Sequence, residues 1–317
     1  MRAVSIREYG DPSGMELIDL PEPTAAPGRV LIRTEAIGVG GVDAVIRRGT
    51  LGSNFPAGLI PGSEVAGVVV GLGDGVDASW LDRRVWAFTG VGGGYVEIAE
   101  ARAEDVVALP DGLSGADAVT IGSSAPVAHF ALAQAHLAAG ESVLIRGAAG
   151  SIGIAAVQLA AASGAGEIAV TTSSVERGAR LQQLGATQVF DRSGSADPDG
   201  SFDVILDIVG GAGLPAALGQ LGLNGRLVVV GIVAGYPPVD FGMTLMRLFQ
   251  RSLSFSTFSL DSIPKAQVNQ YRAEAFGAVA RGELQSVVHD TLPLESAADA
   301  HRRMDAGEVF GRIVLVP

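Results

Sequence analysis

Glu141-Ser142-Val143-Leu144-Ile145-Arg146 runs straight into Gly147-Ala148-Ala149-Gly150-Ser151-Ile152-Gly153, and then into an alanine-rich stretch that ends near Ala162. A short apolar run, a glycine-rich turn and a helix-forming segment, in that order, form the opening of a dinucleotide-binding βαβ unit. Glycine at 150 lets backbone amides approach a pyrophosphate. The free N–H groups and dipole of the following helix, with Ser151 and Ile152 in its first turn, favour that negative charge. Gly153 lets helix and strand pack closely. A glycine triplet can also serve a turn or close packing alone. Here the next strand, residues 167–172, follows at the distance a βαβ unit requires.

In a site for NAD that second strand ends in an Asp or Glu that binds the ribose 2′-hydroxyl. Here it ends Val170-Thr171-Thr172-Ser173-Ser174. No carboxylate stands there to repel a 2′-phosphate, the hydroxyls of Ser173 and Ser174 can donate to one, and Arg177 follows on the next helix. Arg192, just past Phe190-Asp191, could close the same pocket from the other side. Two guanidiniums and two hydroxyls suit a phosphate dianion, so the expected cofactor is NADPH/NADP+. A solvated helix face is the competing explanation for Arg177, and the preferred one for Arg180.

Outward from this motif the chain changes texture. Up to about residue 110 short apolar or alternating runs are separated by Gly and Pro: 30–34, 65–71, 84–88, 95–98 and 106–109, after a first strand within 1–9. This reads as a β-rich domain. After the turn Pro110-Asp111-Gly112, strands at 142–146, 167–172, 188–190, 202–207, 226–230 and 253–258 alternate with helical patterns at 152–162, 175–184 and 215–221. That alternation is the signature of a parallel sheet. From about Gln267 a helix leads to an extended segment at 289–294, a helix at 295–304 and a last strand at 311–316, which could rejoin the first domain. The expected organisation is α/β, with a first domain over 1–115 completed by 267–317 and a dinucleotide-binding domain over 116–266.

Composition narrows the chemistry. With 34 acidic against 22 basic residues and a net charge of -12, nucleic acid and anionic lipid are not expected partners. There is no cysteine, hence no disulfide, thiolate nucleophile or cysteine-containing zinc site. The N-terminus has no unbroken apolar core, and the longest apolar stretches fall short of about 20 consecutive residues. A cytoplasmic protein is expected.

Several further motifs, taken in order, are specific: Ala36-Ile37-Gly38-Val39 through Asp43-Ala44-Val45-Ile46-Arg47-Arg48-Gly49, Pro61-Gly62-Ser63-Glu64 before Val65-Ala66-Gly67, the turn around Gly150, Leu184-Gly185-Ala186, and Phe202-Asp203-Val204 with Asp207-Ile208-Val209-Gly210. Over nearly its whole length the chain resembles the medium-chain dehydrogenase/reductase superfamily, and most of all its zinc-free quinone oxidoreductase (zeta-crystallin-like) branch. The resemblance implies a GroES-like first domain, a Rossmann-type doubly wound parallel sheet, and an active-site cleft between the two. It also implies a homodimer joined through the edge strand of that sheet, here near Leu253 and Phe258. Residues at the nicotinamide end would be Gly40, Asp43, Pro126, Val209, Gly231 and Ile232.

Zinc-dependent members of the superfamily hold their metal through a Cys near position 40 and a His before the Glu of a Gly-His-Glu motif. This chain has Gly40 and Ser63 there, and His129, His136, His289 and His301 show no ligand spacing. No metal is expected. Without a Lewis acid to polarise an alcohol, the chemistry left is hydride delivery to an activated acceptor, a quinone or an α,β-unsaturated carbonyl. The chain departs from its relatives in the substrate pocket, where Gly40, Val45 and Pro126 replace a frequent Asn, Tyr and Thr. The Tyr can donate a proton in enoyl reductases. Three residues stand as substitutes. His129 could point inward or be a structural histidine, Tyr236 could reach the pocket or anchor its loop, and Asp43 could orient a water or bond backbone in its turn. Two other functions remain open: an enoyl-thioester reductase of a biosynthetic pathway, which an approach surface built from Arg47, Arg48 and Arg247 would support, and a non-catalytic NADPH-binding sensor.

Overall fold

The computed structural model describes residues 1–50, 55–191 and 201–317. They form two compact units, Met1–Ser123 with Asn269–Pro317, and Ser124–Val268.

In the first unit the strand Arg29–Val39 organises the sheet. Its alternation buries Val30 and Ile32 on one face while Arg33 and Glu35 stay outside, the period of a half-buried antiparallel strand. The strands Glu64–Leu72, Ile98–Arg102 and Arg312–Val316 all pair with it antiparallel. The tail therefore closes the first unit, with Val314 opposite Gly38. Arg84–Phe88 and Val106–Ala108 extend the sheet on one side and Val288–Pro293 on the other. Beside it lies a hairpin, Arg2–Ile6 with Met15–Asp19, whose second strand the residue pattern does not announce. Val30, Ile37, Val65, Tyr95, Ile313 and Leu315 share the core.

Three local differences from the sequence pattern have physical causes. The run at 95–98 is not itself a strand: the Tyr95 N–H donates to the Pro61 carbonyl and its side chain fills the core, so the ladder begins at Ile98. A helix Gly41–Arg48 follows the sheet strand, with the Asp43 carboxylate accepting the Gly40 N–H at 2.8 Å and Gly49 ending it at φ +67°. Another, Gly115–Ile121, starts where the Ser114 hydroxyl accepts the Asp117 N–H and packs on Arg29–Val39 and Glu64–Leu72. That packing carries the first unit to Ser123, eight residues beyond 115 (123 against 115).

The second unit is a parallel sheet of six strands in the order Gln188–Phe190, Glu167–Thr171, Ser142–Arg146, Phe202–Asp207, Leu221–Val229, Ser254–Thr257. Val143, Leu144, Ile145, Val204, Ile205 and Leu206 are fully buried, as expected for central parallel strands covered on both faces. The helices Ser124–Gln134 and Ser151–Ala162 pack on each other. The order of strands reverses between Ser142–Arg146 and Phe202–Asp207. In open parallel sheets ligands bind at the carboxyl ends of the strands flanking such a switch point, and the turn 147–150 and the loop 208–213 leave from those two ends.

Candidate functional site

Gly147 turns the chain at φ +84° as it leaves its strand, and a Cβ there would meet Ile208 and Val209 side-chain atoms at 3.2 Å. Gly150 then stands as the N-cap of the helix Ser151–Ala162, with no side chain to occupy the helix's first N–H groups. A Cβ on Gly150 would meet only the Gly147 carbonyl oxygen, at 3.9 Å, so the space before this helix end is open. Gly153 differs: a Cβ would lie 2.5 Å from the Ala148 Cα and 2.7 Å from the Gly147 oxygen. One glycine leaves the space before the helix end clear and the other lets helix and turn touch. Ser151 and Ile152 occupy the first turn, half-buried.

At the end of Glu167–Thr171 the Thr172 hydroxyl is buried without a hydrogen-bond partner. Ser174 caps the helix Val175–Gln183, its hydroxyl accepting the Arg177 N–H at 3.2 Å. The Arg177 guanidinium folds back and donates to the Ser173 hydroxyl at 3.2 Å. Ser173, Ser174 and Arg177 are thus one cluster that presents donors to solvent. It fits a dianionic phosphate, and no carboxylate lies in the segment 172–175. Arg192 lies outside the described residues.

Across the switch point Val209 and Gly210 donate their N–H groups to the Asp207 carboxylate at 2.8 and 3.0 Å. A Cβ on Gly210 would come within 3.2 Å of the Gly231 oxygen and the Ile232 Cα, so Val209, Gly231 and Ile232 are brought together. Tyr236, in the loop beyond, is 65% exposed. Pro126 is buried in the first turn of Ser124–Gln134 and His129 is half-buried on it, edge-on to Phe130.

In the first unit Gly40, Asp43 and Val45 gather at the start of Gly41–Arg48. Asp43 has no exposed surface. Its Oδ2 accepts the Gly40 N–H and the Tyr95 hydroxyl, the latter at 3.5 Å, while Oδ1 has no partner. Burial pushes its pKa up to about 6 against the pull of that N–H and of Arg312. The Arg47 Nε–H donates to His301 Nδ1 at 3.2 Å, which leaves the proton of the neutral imidazole on Nε2 to donate to the Tyr95 oxygen at 3.0 Å. Burial, with Arg47 next in effect, holds His301 down at about 3. Arg47 is fully buried and shares Asp305 with Arg48. The expected arginine approach surface therefore loses Arg47 to the interior and ties Arg48 to Asp305. Arg247 donates to the Thr244 hydroxyl at 2.8 Å.

The residue pattern missed Arg146, Asp207, Tyr95, His301 and Arg312. Arg312 forms a buried ion pair with Glu64 at 2.6 Å, and Glu64 accepts the Trp86 indole N–H. Glu64, Arg146 and Asp207 carried a signal, as members of quoted motifs. The others become legible when distant segments meet. Among the described residues no three His, Asp or Glu side chains are grouped to hold a metal ion, and no helix is long and apolar enough to cross a membrane.

A GroES-like unit and a Rossmann-type unit with a glycine turn and open helix start at its switch point define a class of oxidoreductases, and comparison with known proteins agrees. Residues 26–111 match the alcohol dehydrogenase GroES-like domain and residues 151–275 the family described as zinc-binding dehydrogenase. The chain is 32% identical to the quinone oxidoreductase of Rattus norvegicus, over 100% of its own length and 98% of that protein's. It is 30% identical over 99% of its length to 15% of a mycocerosic acid synthase-like polyketide synthase of Mycolicibacterium smegmatis. Among solved structures, mycobacterial Rv1454c complexed with NADPH superposes with a TM-score of 0.89 at 28% identity, covering 100% of both chains. The chain belongs to the medium-chain dehydrogenase/reductase superfamily, in its quinone oxidoreductase branch.

Proposed function

We propose that the chain is an NADPH-dependent reductase of quinones and related α,β-unsaturated carbonyls that works without zinc. The observation that carries the reading is the donor cluster Ser173, Ser174 and Arg177 standing where an NAD site needs a carboxylate, beside an open helix N-terminus at Gly150. In this reading Gly150, Ser151, Ile152 and Gly153 take the pyrophosphate. Ser173, Ser174 and Arg177, joined by Arg192, take the 2′-phosphate, and Val209, Gly231 and Ile232 line the nicotinamide. The bound NADPH supplies a hydride. The protein's part is to hold donor and acceptor in register and keep water away.

Zinc independence is supported by Gly40 and Ser63 at the positions where zinc-dependent relatives carry ligands and by the absence of cysteine. Of the candidates for returning a proton, Tyr236 is exposed and His129 half-buried, whereas Asp43 is sealed and serves its helix start. In this reading Gly40, Val45 and Pro126 offer the acceptor no polar side chain. The chain acts as a homodimer paired through its edge strand Ser254–Thr257. The likeness to a polyketide synthase segment favours a second reading, reduction of an enoyl thioester. The inward commitment of Arg47 argues against the arginine surface such a carrier would need.

The test follows NADPH oxidation with quinones, enones and enoyl thioesters. Turnover with quinones or enones is the expected result. Preference for thioesters supports the second reading, and binding of NADPH without turnover on any acceptor means a sensor.

A further inference from the structure

Arg146 and Asp207 are the last residues of the two strands that flank the switch point, and they are register partners across it. Their side chains form an ion pair, with Asp207 fully buried and the Arg146 side chain 13% exposed. Each oxygen of Asp207 is used: Oδ2 by Arg146, Oδ1 by the N–H groups of Val209 and Gly210. Gly210 sits at φ 64°, ψ -140°, a backbone that side chains rarely adopt, so the loop needs a fixed anchor to hold this turn. The guanidinium also spans the loop, since a Cβ on Gly213 would lie 2.7 Å from Arg146 Nη2. The pyrophosphate turn is built onto the same floor: the Ile208 N–H donates to the Arg146 carbonyl, and Gly147 abuts Ile208 and Val209.

A turn of this kind needs only an acceptor for two N–H groups, which a neutral Asn or Ser supplies. Burying a carboxylate there, with a guanidinium to neutralise it, costs desolvation that turn chemistry alone does not explain. What the pair adds is a rigid cross-link between the segment that takes the pyrophosphate and the one that faces the nicotinamide. We propose that Arg146, acting through Asp207, is a positioning residue: it fixes the loop 208–211 so that the nicotinamide ring is held in one orientation once the phosphates are bound. This rests on the reading that Val209 lines the nicotinamide. Neither residue is required to touch the cofactor.

The test compares wild type, Arg146→Met, Arg146→Lys and Asp207→Asn by three readouts: NADPH affinity, the fluorescence enhancement of the bound nicotinamide, and kcat with a quinone. In Arg146→Met the expected NADPH Kd stays within about threefold of wild type, while kcat falls about tenfold or more, the scale of a misplaced reacting group. The nicotinamide enhancement is lost in parallel, and Arg146→Lys recovers part of both. Asp207→Asn keeps the acceptor for the two N–H groups and the volume, so it keeps the test decisive should Arg146→Met fail to fold, and it shows the same split. Unchanged enhancement and kcat in folded variants, with only Tm lowered, would overturn the proposal. Because the fluorescence needs no acceptor, failure of the wild type on every quinone and enone would sink the acceptor reading while the positioning role is still decided by the emission.

Discussion

Asp43 and His301 lie on one buried hydrogen-bonded chain through Tyr95, and burial moves their proton affinities in opposite directions. The folded chain holds the Asp43 proton up to about pH 6, whereas the unfolded chain releases it near 3.8, so this residue costs stability as pH rises from about 4 to about 6. His301 stays neutral in the fold down to about pH 3 but takes a proton near 6.5 when unfolded, so its contribution is lost as pH falls from about 6.5 towards 3. Asp43→Asn removes the first effect alone. Across that window the stability of wild type relative to Asp43→Asn should fall with rising pH, by at most roughly 3 kcal/mol. A pH-independent difference in denaturation midpoints would show that the carboxyl is not held protonated. A second residue-scale prediction concerns Arg177, whose removal takes a charge-assisted donor from the proposed phosphate. Arg177→Ala should weaken NADPH binding about tenfold or more and leave NADH within about twofold. Equal losses for both cofactors would make Arg177 the solvated helix residue it also resembles in sequence.

At the scale of elements, the two glycines that begin the Ser151–Ala162 helix make separable demands. A methyl at 150 meets nothing closer than 3.9 Å, so Gly150→Ala should melt like wild type yet bind NADPH more weakly, because the methyl enters the space proposed for the pyrophosphate. A methyl at 153 strikes backbone at 2.5 Å, so Gly153→Ala should lose stability as well as affinity. Thermal melts with and without NADPH check both. If Gly150→Ala binds NADPH as wild type does, the phosphate is not where the helix end suggests. This motif was readable because every part of it is local: strand, turn and helix follow within thirteen consecutive residues, 141–153. The hairpin strand Met15–Asp19 and the helix Gly115–Ile121 were not readable, since the first gains definition from pairing with Arg2–Ile6 and the second from packing on the first unit's sheet. The same holds for the Arg146–Asp207 pair. Both residues lie in visible motifs, but only the strand order 142–146 beside 202–207 makes them partners.

For the whole molecule, Ser254–Thr257 is the last strand of its sheet among the described residues, and apart from the Thr257 carbonyl, which accepts the Gln134 amide at 3.0 Å, its outer backbone groups are ones an isolated chain must protect. Nearby in the same unit Leu223, Met243, Met246 and Phe249 are exposed apolar side chains. Pairing of two copies through this edge predicts a sedimenting species of twice the 32.2 kDa chain mass. Lysines at the exposed positions Ser254 and Thr257 should shift it to the single-chain mass by like-charge repulsion across the two-fold. A double-mass species that survives both substitutions would locate the contact elsewhere. The central claim concerns the same whole chain: that it reduces an activated acceptor with NADPH and needs no metal to do so. The most direct measurement is steady-state oxidation of NADPH by a quinone, using protein whose metal content has been brought to zero by a chelator and verified by elemental analysis. The account predicts undiminished turnover, with NADPH strongly preferred over NADH. Turnover that vanishes on chelation and returns with zinc would contradict it.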